Sequence, residues 1–158
     1  MPDPRSRSLG SLLQEFLDTL DEDVQAAYRD DGLSYRPRYT PVMRTLAERG
    51  PSTITEIARH APLTHSAVSQ TVAQMVRAGL VRSRTGRDAR ERVVEFTDEG
   101  AMLMPRLRRH WAATARALST ISDDVGVPLE QVLGRALEVL ARRPFRERIA
   151  EAAAQEAA

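Results

Sequence analysis

Two short helical segments that meet at a tight break constrain the fold of this chain more than any other feature. Thr53 followed by Glu56 forms a capping-box pattern, in which each side chain bonds the other residue's free backbone N–H at the start of a helix. Pro62 ends that helix, and Thr64 is the next residue suited to cap one. Apolar residues then recur at helical spacing up to Gly79, at Val68, Val72, Met75 and Val76. The pattern predicts two short helices joined by a tight turn, the second over about residues 65–78.

The residues after this helix pair change from a helical to an alternating pattern. The segments LVRSRT and RVVEFT, both within residues 80–97, predict two β-strands, and the polar GRDARE between them predicts a turn. The predicted hairpin is basic, with Arg82, Arg84, Arg87, Arg90 and Arg92 along its strands and tip. A helix pair followed by a small basic hairpin is typical of a winged helix-turn-helix, which we predict over residues 40–97.

Longer helices are predicted on both sides of this unit. A long amphipathic helix is expected within residues 1–31, followed by a linker with the sequence GLSYRPRYTP and a short helix. Thr97 caps a second long helix, in which Pro105 requires either a kink or packing strong enough to offset about 3 kcal/mol. A last helix is predicted from about Pro128, with an interruption at Pro144.

The expected fold class is therefore mainly α with a small β-hairpin wing, a winged helix-turn-helix flanked by N- and C-terminal dimerisation helices. We expect an N-terminal dimerisation helix and linker at residues 1–39, a DNA-binding lobe at residues 40–97, and C-terminal dimerisation helices at residues 98–158. The terminal helices are too apolar to stand beside a small core without a partner, although packing within the chain is the alternative. The interface candidates are Leu9, Leu13, Phe16, Leu20, Val132, Leu137, Leu140, Phe145 and Ile149.

The charge of the chain is unevenly distributed. The 158 residues have a net charge of +1, but residues 32–97 contain eleven arginines and five acidic residues, whereas residues 1–31 are acidic. A basic centre is expected of a DNA-binding surface, although solvated surfaces also produce such blocks. The absence of cysteine excludes disulfides, thiolate zinc sites and thiol-based redox sensing. Because no signal-peptide core or membrane-spanning stretch is visible, we expect a cytoplasmic protein.

The polar face of the second helix of the pair is the candidate DNA-reading surface. Glutamine suits the adenine edge in the major groove, serine and threonine can contact bases or phosphates, and Ala67 can meet a thymine methyl group. His65 lies in the first turn, where the helix dipole favours a phosphate. An ordinary solvated face is the alternative, but such a face usually carries Glu and Lys pairs, and residues 65–78 carry none. The candidate DNA-binding residues are Thr53, Thr64, His65, Ser66, Ala67, Ser69, Gln70, Thr71, Gln74, Arg84, Arg87, Asp88 and Arg90.

The segment TITEIARHAPLTHSAVSQTVAQMVRAGLVRSRTGRDARERVVEFTDEG resembles the core of the multiple-antibiotic-resistance regulator (MarR) family. That family has an Asp-x-Arg in the wing nine residues before a threonine that opens the next helix, and Asp88, Arg90 and Thr97 match it. We expect Asp88 to orient Arg90 through an ion pair. The resemblance covers about residues 33–120. It departs at Gln70, where many relatives have Arg or Lys, and at Phe96, where leucine is usual.

The resemblance implies a homodimeric, bacterial transcription factor that binds a pseudo-palindromic operator in double-stranded DNA. In such a dimer the first and last helices of both chains interlock, the recognition helix enters the major groove and the wing, here residues 82–92, enters the minor groove. Relatives commonly repress transcription and release DNA when a small aromatic effector binds between the dimerisation helices and the DNA-binding lobe. By resemblance, the candidate effector-binding residues are Tyr28, Tyr35, Arg38, Met43, His110 and Trp111.

An enzyme and a protein-binding module are the two alternatives to a DNA-binding regulator. An enzyme would need His65, Ser66 and Asp88 as its reactive group, but no acid orients the histidine, and the histidines at positions 60, 65 and 110 do not form a metal motif. We therefore expect no catalytic activity, no cofactor and no bound metal. A winged-helix module that binds proteins rather than DNA is the second alternative, which an acidic or apolar recognition face would favour.

Overall fold

The computed structural model describes residues 8–86 and 91–156, and it shows a mostly helical chain with one small antiparallel sheet. The predicted fold class, mainly α with a small wing, is confirmed. The elements in chain order are α1 (Leu9–Asp30), a 3₁₀ turn (Pro37–Tyr39), α2 (Thr40–Arg49), β1 (Ser52–Thr53), α3 (Ile54–His60), α4 (His65–Arg77), β2 (Val81–Thr85), β3 (Arg92–Phe96), α5 (Asp98–Val125), α6 (Leu129–Arg142) and α7 (Phe145–Glu156).

The sheet has three strands rather than the two that the sequence pattern predicts. Its order is β1-β3-β2, and both pairs are antiparallel. Strand β1 consists of Ser52 and Thr53 alone, which pair with Val94 and Val93 of β3. A two-residue strand shows no periodicity of its own, so only its tertiary pairing reveals it. The consequence is that the start of α3 is hydrogen-bonded to the wing.

The predicted helix pair is present as α3 and α4. Thr53 Oγ1 accepts a hydrogen bond from the Glu56 backbone N–H at 3.2 Å, and Glu56 Oε2 accepts one from the Thr53 N–H at 2.6 Å, which completes the capping box. Thr64 Oγ1 caps α4 by accepting from the Ala67 N–H at 3.2 Å. Gly79, with φ of 74°, ends the turn after α4 in the left-handed conformation that glycine adopts without strain. The buried side chains of Ile57, Val68 and Met75 join the two helices.

Helix α5 begins in close contact with β2. Thr97 Oγ1 donates a hydrogen bond to the Gly79 carbonyl oxygen at 2.5 Å and accepts one from the Gly100 N–H at 3.0 Å. Gly100 lies so near the Leu80 carbonyl that a Cβ atom at this position would overlap the carbonyl oxygen. The helix continues through Pro105, and Met104 and Leu107 on either side of the proline are buried. Packing therefore accommodates the proline without ending the helix.

An ion-pair cluster connects the end of α1 to α5. His110 Nε2 lies 2.9 Å from Asp31 Oδ2, and Arg106 Nη2 lies 3.3 Å from the same oxygen. Arg106 also donates to the Asp31 backbone carbonyl. The His110 ring packs against Tyr28, with ring centroids 4.9 Å apart. Asp31, the residue that caps α1, is thus bound to two side chains of α5.

We expect the Asp31 cluster to make stability depend on pH. Hydrogen bonds first from His110 and then from Arg106 lower the pKa of the Asp31 carboxyl below its ordinary value of 3.8. A carboxyl with a lowered pKa stabilises the fold above its unfolded-state pKa, and that contribution is lost as the pH falls through the folded-state pKa. Below about pH 4, the free energy of unfolding of Asp31→Asn should therefore fall less steeply with pH than that of the wild type. Urea unfolding between pH 3 and pH 7 measures this. Asp30→Asn is the matched control, and an equal effect of both variants would contradict the prediction.

The chain divides into two compact units, one up to His110 and one from Trp111 onward. The second unit contains the rest of α5, α6 and α7, and neither α6 nor α7 buries a single residue. On α6 the apolar side chains Val132, Leu133, Leu137, Val139 and Leu140 are 40–68% exposed. Phe145 and Ile149 of α7 are exposed as well. Among the helices of residues 8–86 and 91–156, none is long and apolar enough to cross a membrane.

Candidate nucleic-acid interface

The first two turns of α4 present a continuous polar surface. His65, Ser66, Ser69 and Gln70 are exposed, and Ala67 is half-buried between them. Thr64, the capping residue, is exposed at the same end of the helix. Helix α4 carries no acidic residue, so nothing on the helix itself repels a phosphate. Its N-terminal end also carries the positive end of the helix dipole, which favours a nearby anion.

The predicted face is wrong at Thr71 and only partly right at Gln74. Thr71 is 7% exposed, because it lies three residues after Val68 and shares that residue's core-facing side of the helix. Gln74 is half-buried, and its Oε1 atom is buried without a hydrogen-bond partner in the described structure. Val76, expected in the core, is 42% exposed. The i, i+3, i+4, i+7 stripe of residues 68, 71, 72 and 75 was visible in the sequence and identifies the buried side correctly.

Thr53 is half-buried and engaged in the capping box. Its backbone and side-chain hydrogen bonds to Glu56 lower the pKa of that carboxyl, the backbone bond contributing most. The Glu56 carboxyl therefore stays ionised at neutral pH and holds the start of α3. Thr53 acts in the structure as a cap, and its role as a DNA contact stays a prediction.

The base of the wing carries a cluster of one acidic and two basic side chains that sequence reasoning did not find. Arg82 Nε donates to Glu95 Oε1 at 2.8 Å, and Arg84 Nε donates to Glu95 Oε2 at 3.0 Å. Arg82 lies directly across from Glu95 in the β2–β3 pair, and Arg84 pairs with Val93 two residues along. The arginine side chains are 65% and 54% exposed, whereas that of Glu95 is 17% exposed. Of the wing residues predicted to bind DNA, Arg87, Asp88 and Arg90 lie outside the described residues.

The aromatic residues predicted to bind an effector are mostly core residues. Tyr28, Tyr35 and Met43 are each at most 1% exposed. Tyr35 packs edge-on against Tyr28 and Tyr39, its hydroxyl lies 3.1 Å from Thr40 Oγ1, and burial raises its pKa. His110 is half-buried against Asp31, and Trp111 is half-buried in the second unit. Their role as ligand contacts stays a prediction.

Two cavities adjoin the linker after α1. The first, of about 600 Å³, lies between the end of α1, the linker and the end of α4. It is lined by Gln25, Arg29, Leu33, Ser34, Tyr35, Arg36, Tyr39, Gln74, Arg77 and Ala78. The second, of about 710 Å³, shares Gln25, Arg29 and Arg36 with the first and is also lined by Asp21, Glu22, Pro37 and Arg38. The first cavity brings three arginines and two tyrosines together, a composition suited to an aromatic anion.

No metal site is formed by the residues that the structure describes. Within residues 8–86 and 91–156, no group of three or more His, Asp or Glu side chains is placed to hold an ion. His65 and Ser66 lie side by side on the exposed start of α4, and Asp88, the third member of the enzyme alternative, lies outside the described residues.

The chain is similar to known proteins both in the sequence of residues 32–91 and in its whole fold. Residues 32–91 match the family model described as the MarR family. The chain is similar to the crystal structure of a MarR family transcriptional regulator from Silicibacter pomeroyi, with 29% identity, a TM-score of 0.62, and 85% of this chain and 96% of that chain covered. No curated protein matches the chain in sequence.

Two further solved structures are similar in fold. BpsR of Bordetella bronchiseptica, whose DNA binding is regulated by 6-hydroxynicotinic acid, has 17% identity and a TM-score of 0.66 over 90% of this chain and 99% of its own. The M. tuberculosis transcriptional regulator MOSR, solved in complex with DNA, has 19% identity and a TM-score of 0.66 over 87% of this chain and 99% of its own. At these identities the likeness concerns the fold, which extends over nearly the whole length of both relatives.

Proposed function

We propose that this chain, whose residues 32–91 match the MarR family model, is a member of that family and a DNA-binding transcriptional regulator that responds to a small molecule and has no catalytic activity. The observation that carries the proposal is the exposed start of α4, where Ser66, Ser69 and Gln70 lie on a capped helix that itself carries no acidic residue. Such a surface can hydrogen-bond to base edges in a major groove. An acidic or apolar face at this position would instead favour a protein partner.

The wing is proposed to contact DNA beside the groove that α4 enters. Arg84, together with Arg82, contributes exposed guanidinium groups at its base. Arginine suits the concentrated negative potential of a narrow minor groove. Arg87, Asp88 and Arg90 at the tip belong to the same proposal through their match to the family's wing motif.

The proposed active form is a homodimer. Helix α6 has a strongly one-sided apolar surface that buries nothing within the chain, and Leu9, Leu12, Leu13 and Leu17 of α1 are likewise exposed. A second copy would remove these surfaces from water and place two recognition helices on one duplex. The nine interface candidates from the sequence are all exposed or half-buried, which leaves them available to a partner.

The cavity between α1, the linker and α4 is the proposed effector site. Arg29, Arg36 and Arg77 can bind a carboxylate, and the largely buried rings of Tyr35 and Tyr39 form part of the cavity wall. Because Gln74 and Arg77 belong to α4, occupation of the cavity would act on the recognition helix directly. The proposal shares Tyr35 with the residues predicted from the sequence and adds the arginines that the sequence pattern did not indicate.

Aromatic carboxylic acids are expected to release the protein from DNA, whereas the matching aromatic amides are not, because only the acids can pair with the arginines. Fluorescence anisotropy of the protein–DNA complex during titration with each acid and its amide measures this. Arg36→Gln should weaken the release, and Arg49→Gln, an exposed residue of α2 that lines neither cavity, is the matched control. Equal release by acids and amides, or no release by either, would contradict the effector proposal.

The DNA-binding proposal is tested by fluorescence-anisotropy titration of the full chain with DNA from upstream of its own gene and with a scrambled duplex, over a series of salt concentrations. We expect tighter binding to the upstream DNA and a linear fall of log affinity with log salt, through release of counterions from about 6–10 phosphate contacts. A folded dimer that binds neither duplex at low salt would overturn the proposal and favour the protein-binding alternative.

A further inference from the structure

The cluster of Arg82, Arg84 and Glu95 lies on the face of the sheet opposite the buried Val94. Both oxygens of the carboxylate are engaged, because each accepts a hydrogen bond from a different arginine, at 2.8 and 3.0 Å. Glu95 is largely shielded from solvent, whereas both arginines are more than half exposed. The acid is therefore the fixed centre of the cluster, and the guanidinium groups extend outward from it.

The way in which the arginines are held leaves most of their donors available. A guanidinium group has five N–H donors, of which one is on Nε and four are on the terminal nitrogens. Both contacts to Glu95 use Nε. Each arginine thus has a restrained direction and keeps its terminal nitrogens for another acceptor, such as a phosphate or a base edge.

We propose that Glu95 is a positioning residue for DNA binding, which holds Arg82 and Arg84 in one orientation and thereby raises the preference of the protein for its own operator over other DNA. The inference rests on the proposed function, and it assigns to an acidic residue in the wing a role in selectivity. Restrained side chains lose less conformational freedom on binding one matching duplex. They also adapt less readily to duplexes whose phosphates lie elsewhere.

The negative charge of the Glu95 carboxylate also favours preference for the operator over other DNA. Arg82 foremost, and then Arg84, lower the pKa of the Glu95 carboxyl by hydrogen bonding, so the group is ionised at neutral pH. It offsets one of the two positive charges of the arginines. Because attraction to phosphates does not depend on sequence, the offset weakens binding to all DNA alike and leaves selectivity to the oriented contacts.

Glu95→Gln tests the inference, because the amide has the same shape but no charge, and only its single oxygen can accept from an arginine. We expect binding to scrambled DNA to tighten and the log–log salt dependence to steepen by about one. The ratio of the affinities for upstream and scrambled DNA should fall about fivefold or more, because at least one of the two arginine side chains must then be ordered on binding. Anisotropy titrations of both duplexes over a salt series give all three quantities.

Glu48→Gln, on the exposed side of α2, is the matched control for the loss of one negative charge. It should shift both affinities in parallel and leave their ratio unchanged. Arg84→Gln tests the same claim with Glu95 intact. It should lower the ratio in the wild-type background and have little further effect in the Glu95→Gln background. Thermal unfolding of each variant reports whether the fold is retained.

An unchanged affinity ratio in Glu95→Gln, or a change equal to that of Glu48→Gln, would overturn the inference while the DNA-binding proposal stands. Additive effects of Arg84→Gln and Glu95→Gln would also overturn it, since independent residues do not share one role. If the wild-type chain binds neither duplex, the proposed function fails and the inference fails with it.

Discussion

Replacement of Gly100 with alanine is expected to lower the free energy of unfolding by about 3 kcal/mol or more, the upper range for overpacking a tight contact. The new Cβ would overlap the carbonyl oxygen of Leu80. Because the obstacle is backbone, no change of rotamer relieves it. The start of α5 cannot move away freely either, since Thr97 Oγ1 binds the Gly79 carbonyl and the Gly100 N–H. The substitution would therefore separate α5 from β2.

Urea unfolding followed by circular dichroism measures the effect. Gly134→Ala is the matched control, because it lies within α6 and its new Cβ would have no atom within 4 Å. It should stabilise the chain by up to about 1 kcal/mol through helix propensity. A Gly100→Ala variant as stable as the wild type would show that α5 does not rest on the β2 backbone as described.

Replacement of Gln70 with glutamate is expected to reduce the affinity for operator DNA by about 100-fold or more. Loss of a paired contact to a base costs about 1–3 kcal/mol, and the added negative charge lies where phosphates surround the helix. Gln70 is exposed on the first turns of α4 and makes no contribution to the core. The fold should be unaffected, so the loss is one of binding alone.

Gln155→Glu, on the exposed end of α7, introduces the same charge far along the chain from α4 and is the control. Anisotropy titration of both variants at one salt concentration compares them, and thermal unfolding verifies that each is folded. Equal affinities of the two variants would show that α4 does not present Gln70 to DNA.

Local signals in the sequence were sufficient to predict the helix-turn-helix. The capping box at Thr53 and Glu56 and the cap at Thr64 involve residues three apart, so they are visible without knowledge of the fold. The proline breaks likewise separated α6 from α7 correctly at Pro144. The error at Thr71 arose because threonine was assigned to the polar face by its chemistry rather than by its position in the core stripe.

Features that depend on distant residues were not predicted. Strand β1 is defined by its pairing with β3, about forty residues away in sequence, and has only two residues. Glu95 meets Arg82 only through the register of the hairpin. The cavity beside α4 is assembled from α1, the linker and the recognition helix, and no single segment carries its three arginines. Such sites follow from tertiary packing, which residue spacing alone does not encode.

In the proposed complex, two copies of α4 enter successive major grooves of one DNA duplex. A dimethyl sulfate footprint on the bound upstream DNA tests it most directly, because the reagent reports on guanine N7 in the major groove. We predict two protected segments on the same side of the duplex, about one helical turn or 34–36 Å apart. Bound DNA with unprotected major grooves, or with one protected segment only, would contradict this mode of binding.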